Sequence, residues 1–195
     1  MSCKWGDIIS LEYGKPVVDK ETTNGAYPVF GTNGQIGTTN LLPLCPHASV
    51  ILGRKGAYRG VHYSDMPFSV IDTAFYVKSK KEDLDLKWVY YKFLTYDINR
   101  MDSGSAIPST DRYEIYSIML DLPSLDIQHA VADTLSALDA RIASNNAINH
   151  HLAARSATDS SPDMRRGSKA SLTTASRAFS ARFSLICSNK GAVAA

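Results

Sequence analysis

The chain has 195 residues, of which 44% are hydrophobic and 21% are charged, and these proportions are close to those of average globular proteins. They exclude a collagen-like chain and argue against disorder throughout. The net charge of +2 is unevenly distributed, because residues 155–195 carry +5 and residues 1–154 carry −3, so we do not expect the first part to bind polyanions through its overall charge.

Residues 1–122 have the pattern of a mixed, strand-rich domain. Alternating apolar residues and β-branched runs predict strands, and Asn33-Gly34 is a strong signal for a tight turn. The predicted strands are residues 48–52, 68–77 and 118–122, of which 68–77 is the longest, and a short strand that runs into the turn within residues 27–37. Residues 5–14 alternate only weakly and end in a turn signal. Apolar residues at spacings of three and four predict a helix from Asp85 to Met101, capped by Asp83 or Asp85.

After Pro123 the apolar spacing changes to that of a long helix, capped by Ser124 and running from Leu125 to Ala154 without Gly or Pro. Along one face of this helix, which we call the seam, core-type residues recur alternately four and three positions apart. This heptad spacing predicts a coiled coil. The residues of this seam are Val131, Leu135, Leu138, Ile142, Asn145, Asn149 and Leu152. A helix of about 30 residues spans roughly 45 Å, so we expect a projecting arm that needs a partner. The alternative is a long amphipathic helix folded back on the same domain.

Residues 155–195 are rich in Ser, Ala and Arg, and their few large apolar residues follow no period. Such a segment buries too little apolar surface to offset the entropy of ordering it. We expect a disordered tail. The alternative is a basic arm that binds nucleic acid without sequence preference.

The sequence lacks the motifs of several enzyme classes. It has neither a Gly-rich phosphate-binding loop nor the Asn/Asp-Pro-Pro-Tyr/Phe segment with which amino-methyltransferases hold a flipped base. The three cysteines are too dispersed for a disulfide framework or a zinc site, and the five histidines are scattered. We therefore expect a chain that is not itself an enzyme and that holds no metal and no cofactor.

Two loops and one turn carry polar side chains suited to recognising DNA. Arg reads guanine bidentately, Asn and Gln read adenine, and Lys, Ser and Thr contact phosphate. The candidate DNA-binding residues are Asn33, Gln35, Arg54, Lys55, Tyr58, Arg59, Ser103, Ser105, Thr110 and Arg112. The alternatives are a solvated basic hairpin turn for residues 53–63, a linker for residues 99–113, and ordinary turn residues at 33 and 35.

Several segments, taken in order, resemble the specificity subunit of type I restriction–modification systems. The resemblance covers about residues 4–153 and is specific only in combination. The segments are Trp5-Gly6 with Ile8, Leu11 and Gly14; residues 27–37; residues 50–60; residues 104–108; residues 122–128; and Ala132, Leu135, Leu138-Asp139, Ile142 and residues 145–149.

The resemblance implies an α+β fold, with a β-rich target recognition domain in residues 1–122 and a coiled-coil-forming spacer helix in residues 123–154. It implies a noncatalytic subunit that reads one half of a split site in double-stranded DNA. It also implies methyltransferase subunits, which use S-adenosylmethionine, and a restriction motor subunit as partners in the complex.

Full members of this family carry two recognition domains and two helices, whereas the sequence has one of each. We therefore expect a half-subunit that forms a homodimer or pairs with a second half through the helix. The alternative is a truncated fragment, nonfunctional or purely oligomerising, whose tail arose from a frame change. We expect it in the cytoplasm, because the sequence has no run of about 18 apolar residues and no signal-peptide core.

Overall fold

The computed structural model describes residues 2–18, 24–101 and 108–158. The chain divides into two compact units, residues 1–135 and residues 136–195. The first unit is a mixed domain of strands and helices, and the described part of the second is helical. This division falls inside the last helix, so the domain limits expected at residues 122 and 154 stay a prediction.

The strands and helices alternate irregularly along the chain, as expected for an α+β fold. The strands are β1 (Ser2–Lys4), β2 (Ile9–Tyr13), β3 (Tyr27–Gly31), β4 (Gly34–Thr39), β5 (Ser49–Gly53), β6 (Val61–Ser64), β7 (Ser69–Val70), β8 (Ala74–Ser79) and β9 (Met119–Asp121). The helices are α1 (Trp5–Ile8), α2 (Leu86–Phe93), α3 (Arg112–Ser117) and α4 (Leu125–Thr158), with a 3₁₀ turn at Ile98–Arg100.

Three sheets organise the first unit. The largest is antiparallel, with the strand order β2-β8-β5-β6. In the second, β3 lies between β4, with which it forms an antiparallel hairpin, and β7, which runs parallel to it. The third pairs β1 with β9, so that Ser2 lies opposite Asp121.

Period-two alternation along β5 and β8 gives the large sheet two apolar faces. Val50 and Leu52 face one core, formed with helices α1 to α3, while Ile51 lies in a second core. Trp5 is fully buried in the first core, where its ring stacks on that of Phe93 with a centroid distance of 4.5 Å. Because both faces of the sheet are buried, the sequences of its strands are nearly continuous hydrophobic runs.

The segment predicted as one long strand over residues 68–77 is two strands. The chain turns at residues 71–73, where the Ala74 N–H donates to the Ile71 carbonyl oxygen at 3.1 Å. Val70 pairs with β3, whereas Ala74 pairs with β5 in a different sheet. Local propensity could not reveal that the two halves of this apolar run belong to different sheets.

The predicted helix over residues 85–101 is shorter than its apolar spacing indicates. Asp85 is the N-cap, as expected, and its carboxylate accepts from the backbone N–H groups of Lys87 and Trp88. The helix ends at Phe93, and Asp97 caps a separate 3₁₀ turn by accepting from the Asn99 N–H. The polar segment at residues 99–113 was expected to be a loop, but helix α3 begins at Arg112.

Helix α4 begins at Leu125, as the sequence predicts, and runs to Thr158, four residues beyond the predicted end. The α+β fold class with a long C-terminal helix is therefore confirmed. The expectation of a disordered tail concerns residues that, beyond 158, lie outside the described part of the chain. No helix among the described residues combines the length and the apolar content needed to cross a membrane.

Gln128 holds the first turn of α4 in the domain. Its side chain is only 1% exposed. Its Oε1 accepts from the Asp85 N–H at 2.9 Å, and its Nε2 donates to the carbonyl oxygens of Pro123 at 3.0 Å and Asp83 at 3.4 Å. One amide thus satisfies polar groups at the start of two helices, which is the usual requirement for a buried polar side chain. Ala132, one turn later, is also buried in the main core.

Replacing Gln128 with Met should lower the free energy of unfolding by about 1–3 kcal/mol, because the partly buried Asp85 N–H loses its acceptor. Urea unfolding of the purified protein measures this difference. Gln35→Met is the matched control, since Gln35 is exposed, and it should change the free energy by less than about 0.5 kcal/mol. Equal losses in the two variants would contradict the role given to Gln128.

Candidate nucleic-acid interface

Three polar segments of the first unit lie together and form what we call the three-loop surface: the turn loop (residues 31–35), the glycine loop (residues 53–60) and the hydroxyl loop (residues 108–112). Backbone hydrogen bonds close the glycine loop on itself, with the Gly53 N–H donating to the Gly60 carbonyl oxygen at 2.8 Å. The sequence singled out all three segments, although they are up to 80 residues apart along the chain.

Thr32 joins the turn loop to the glycine loop. Its Oγ1 lies 2.8 Å from the Lys55 carbonyl oxygen and 2.8 Å from that of Thr73. Its own carbonyl oxygen accepts from the Gly60 N–H at 3.0 Å. A Cβ on Gly53 would lie 2.7 Å from this same carbonyl oxygen of Thr32. The close approach of the two loops therefore requires glycine at position 53.

The glycine loop is joined to the hydroxyl loop by backbone hydrogen bonds. The Gly56 N–H donates to the Pro108 carbonyl oxygen at 2.9 Å, and the Thr110 N–H donates to the Arg54 carbonyl oxygen at 2.8 Å. Gly56 has a φ of +118°, a conformation that residues with a Cβ rarely adopt. This contact places Arg54 next to the segment that leads into α3 and Arg112.

Arg59 does not lie on the accessible part of this surface. Its side chain is 3% exposed, and its Nη2 donates to the Asn99 carbonyl oxygen at 2.7 Å. The Asn99 side chain in turn accepts from the Arg59 N–H through Oδ1 at 2.8 Å. The structure thus gives Arg59 the task of fixing the segment around Asn99. Thr110 is buried as well, at 4% exposure, so neither residue enters the DNA contacts proposed below.

Four of the other candidate residues are exposed on the turn and glycine loops. Asn33, Gln35 and Lys55 are exposed, and Tyr58 is 73% exposed. Amide and ammonium groups at such positions can reach base edges or phosphates. Their assignment as DNA contacts stays a prediction. Ser103 and Ser105 lie outside the described residues.

The remaining candidates, Arg54 and Arg112, meet at Tyr13. Each guanidinium carbon lies 5.1 Å from the centroid of the Tyr13 ring, within the range of a cation–π contact. Arg112 also lies 4.9 Å from the ring centroid of Tyr113 and donates from Nη2 to the Tyr113 hydroxyl at 3.0 Å. Sequence reasoning missed Tyr13, Thr32 and Asn99, because each acts through partners that are distant along the chain.

The charge of the three-loop surface comes from Arg54, Lys55 and Arg112. Burial lowers the pKa of His62, against the opposing effect of its hydrogen bond with the Thr32 backbone, and so favours the uncharged imidazole. The exposed carboxylates of Asp72 and Asp111 lie next to the loops in sequence, but Asp111 accepts from the Tyr113 N–H as the cap of α3. The local charge is therefore positive although that of residues 1–154 is negative.

Along α4, the predicted seam is open to solvent in both units. In the first unit Val131 is 38% exposed and Leu135 is half-buried. In the second unit, taken by itself, the remaining seam residues Leu138, Ile142, Asn145, Asn149 and Leu152 are all exposed. An apolar stripe of this length on a helix is the usual mark of a surface that another helix covers. The expected pairing stays a prediction.

Within the described part of the chain, no three His, Cys, Asp or Glu side chains lie close enough together to hold a metal ion. A depression of about 420 Å³ lies between the β3–β4 hairpin and β6 and is lined by residues such as Pro28, Phe30 and Met66. Its lining contains one carboxylate, Asp65, and no histidine or cysteine.

The sequence matches the family model described as the type I restriction modification DNA specificity domain over residues 2–154. The fold is similar to the S subunit of a type I restriction-modification system from M. genitalium, with a TM-score of 0.64 and 22% identity over 78% of this chain and 43% of that chain. It is also similar to a chain from a structure on complex assembly and conformational transition of the type I R-M system, with a TM-score of 0.55 and 13% identity over 80% and 42% of the two chains.

Both solved chains are more than twice as long as the part of them that this chain matches. No curated protein matches the sequence at a significant level. The likeness to the solved chains thus concerns the fold, and the match to the family model concerns the family.

Replacing Asn99 with Ala should speed hydrogen exchange at the Arg59 amide, because the Arg59 N–H loses its acceptor. It should also lower the free energy of unfolding by about 1 kcal/mol. Asn33→Ala is the matched control, because Asn33 is exposed in the turn loop. Unchanged protection of the Arg59 amide in the Asn99 variant would refute the anchoring role.

Proposed function

The chain belongs to the family of the type I restriction modification DNA specificity domain, and on this premise we propose that it reads one half of a split site in double-stranded DNA. Catalysis in this family lies in partner subunits. We propose that the chain supplies recognition in the cytoplasm, while methyltransferase subunits modify adenine with S-adenosylmethionine and a restriction motor subunit joins them.

The observation that carries this proposal is the three-loop surface. Polar segments 20 to 80 residues apart are tied into one face by hydrogen bonds from Thr32, Gly56 and Thr110. This face presents exposed amides, an exposed lysine and two arginines. Recognition of a DNA sequence needs such a combination, in which cations fix the position on phosphates and amides reach base edges.

The residues that we propose for base contacts are Asn33 and Gln35, with Lys55 contacting phosphate and Tyr58 packing on sugars or bases. They are exposed and lie on loops whose ends are fixed by the large sheet and its neighbours. A rigid frame with exposed loops is the common arrangement for binding sites.

We further propose that the seam of α4 pairs with the helix of a second half-subunit, in the simplest case another copy of the chain. The exposed apolar seam residues support this, because an isolated helix would keep them in water. Two copies related by a two-fold axis would read a palindromic split site. The helix would then set the gap between the two half-sites and provide the surface on which methyltransferase subunits dock.

Adenine methylation mapped across a genome tests the proposed function directly. Cells that make the chain together with its methyltransferase partner should show a split methylation motif that is absent from cells lacking the chain. A palindromic motif is expected for a homodimer, and two different half-sites for a mixed pair. If both proteins are soluble and no new motif appears, the chain is a nonfunctional or purely oligomerising fragment.

Charged substitutions in the seam test the pairing. Leu138→Glu and Ile142→Glu should convert the dimer to a monomer in light scattering, because each places a carboxylate in an apolar seam. Ala147→Glu is the matched control, since residue 147 is about half a turn from the seam on the same exposed helix. A monomeric unsubstituted chain, or an unchanged mass of the Leu138 and Ile142 variants, would contradict the pairing.

A further inference from the structure

The two arginines of the three-loop surface are brought together by one aromatic ring. Arg54 leaves the end of β5, and Arg112 begins α3, yet both guanidinium carbons lie 5.1 Å from the centroid of Tyr13. The two cations are therefore at most about 10 Å apart. The Tyr13 ring packs in turn on the buried Phe75 ring, at a centroid distance of 5.0 Å, so the platform is fixed from below by the core.

Neither cation is neutralised within the described part of the chain. Arg54 and Arg112 form no ion pair with a described carboxylate. The Nε atoms of both are buried and have no hydrogen-bond partner. Buried polar atoms normally have partners, and the exceptions call for an explanation. The buried Nε atoms are out of a ligand's reach. The two unpaired charges, no more than about 10 Å apart, favour an anion at their outer Nη edges.

The unpartnered atoms are concentrated in this part of the molecule. Among the described residues, the buried side-chain nitrogen and oxygen atoms without a hydrogen bond belong to the three-loop surface or to the strand next to it. They are found on Arg54, Arg59, His62, Thr110 and Arg112. The cores of the domain contribute none among these residues, so the unsatisfied polarity coincides with the face that we propose meets DNA.

We propose that Arg54 and Arg112 form a clamp for a phosphodiester group of DNA, with Tyr13 as the ring that positions both guanidinium groups. This inference rests on the proposed function and refines it. The clamp fixes the position of the domain on the duplex and carries no sequence information. Base reading belongs to the exposed side chains of the turn and glycine loops.

The geometry favours a phosphate over a base edge as the partner of Arg54. To read guanine, an arginine must extend its side chain into the major groove. The Arg54 backbone is held on both sides, because its N–H donates to the Thr73 carbonyl oxygen at 2.9 Å and its own carbonyl oxygen accepts from the Thr110 N–H. Its side chain is half-buried against Tyr13 and Phe75, so only the outer Nη edge is available.

Arg112 is restrained in the same way. It lies against the rings of Tyr13 and Tyr113 and donates to the Tyr113 hydroxyl. Arginine stacked on aromatic rings keeps its planar fork available for a phosphate, to which it can donate two hydrogen bonds. A pair of such forks, already in place before binding, loses little side-chain entropy when the phosphate arrives.

The test measures DNA affinity against salt concentration for the complex of this chain with its methyltransferase partner. The duplexes are the site found by methylation mapping and a scrambled duplex of equal length. Arg54→Gln and Arg112→Gln should each weaken binding to both duplexes by the same factor, about eightfold at 0.1 M salt. For each phosphate contact, log affinity changes by about 0.9 for a tenfold change in salt concentration. Loss of one contact therefore costs about eightfold between 1 M salt, where it contributes nothing, and 0.1 M salt.

The slope of log affinity against log salt should fall by about one in each variant, and the ratio of the two affinities should stay that of the unsubstituted complex. Arg100→Gln is the matched control, because Arg100 is 88% exposed and its charge is paired with Asp97 at 3.3 Å. It should leave the slope unchanged. If Arg54→Gln or Arg112→Gln instead lowers the ratio of the affinity for the mapped site to that for the scrambled duplex, the arginine that was replaced contacts a base. This result would overturn the clamp.

Tyr13 is a positioning residue in this proposal, and its variants test that role separately. Tyr13→Phe keeps the ring and should keep the salt slope, whereas Tyr13→Ala should reduce it because both arginines lose their support. Equal slopes for the Phe and Ala variants would contradict the positioning role. Titration with inorganic phosphate at constant ionic strength adds a further arm. Competition with DNA that disappears in Arg54→Gln is expected, because free phosphate and a phosphodiester offer the same oxygens. Phosphate that binds through Arg54 but leaves the DNA affinity unchanged would identify a site for free phosphate instead and overturn the assignment to DNA.

The failure of this inference can be told apart from the failure of the proposed function. If methylation mapping yields no motif, the proposed function fails, but the scrambled duplex still shows whether the slope depends on the two arginines. If a motif is found and the slope of both arginine variants equals that of the unsubstituted complex, only the clamp fails.

Discussion

The hydrogen bonds of Thr32 hold together the part of the molecule on which its proposed function depends. The hydroxyl and the carbonyl oxygen of this one residue contact the glycine loop at Lys55 and Gly60, and the hydroxyl also contacts the Thr73 carbonyl oxygen. Three backbone segments that connect strands of the two larger sheets therefore share one small polar centre. If the loops were free, each would have to be ordered on binding at a cost in entropy. Because they are fixed to one another, the exposed side chains above them are held in a defined arrangement.

The start of α4 is likewise held by the hydrogen bonds of a single residue, here Gln128. The nearly buried side chain of Gln128 satisfies the Asp85 N–H and two carbonyl oxygens, while Ala132 enters the apolar core beside it. The first turns of α4 are thus packed into the first unit. A polar anchor of this kind also fixes rotation about the helix axis, because only one face of the helix carries the amide. The direction in which the exposed seam begins is determined by that anchor.

The parts of the fold that depend on local sequence could be predicted, and the parts that depend on distant contacts could not. Asn33-Gly34 as a tight turn, Asp85 as a helix cap and Leu125 as the start of the long helix follow from neighbouring residues, and the structure confirms them. The break between β7 and β8 was missed because either half of that apolar run is a good strand by itself. Arg54 and Arg59 look equivalent in the sequence, yet one lies on an aromatic platform and the other is buried against Asn99. Only the path of the chain through space separates their roles.

The pairing of β1 with β9 has a consequence for how such a protein can change over time. Ser2 lies opposite Asp121, so the first described strand runs beside the last segment before α4. The polypeptide therefore enters the domain and leaves it at one place, while the turn and glycine loops belong to another set of strands. Substitutions in those loops need not disturb the contacts of Gln128 or the pairing of the two terminal strands. Under the proposed function, selection can then alter the DNA sequence that is read while the connection to the helix, and with it the proposed gap between half-sites, is inherited unchanged.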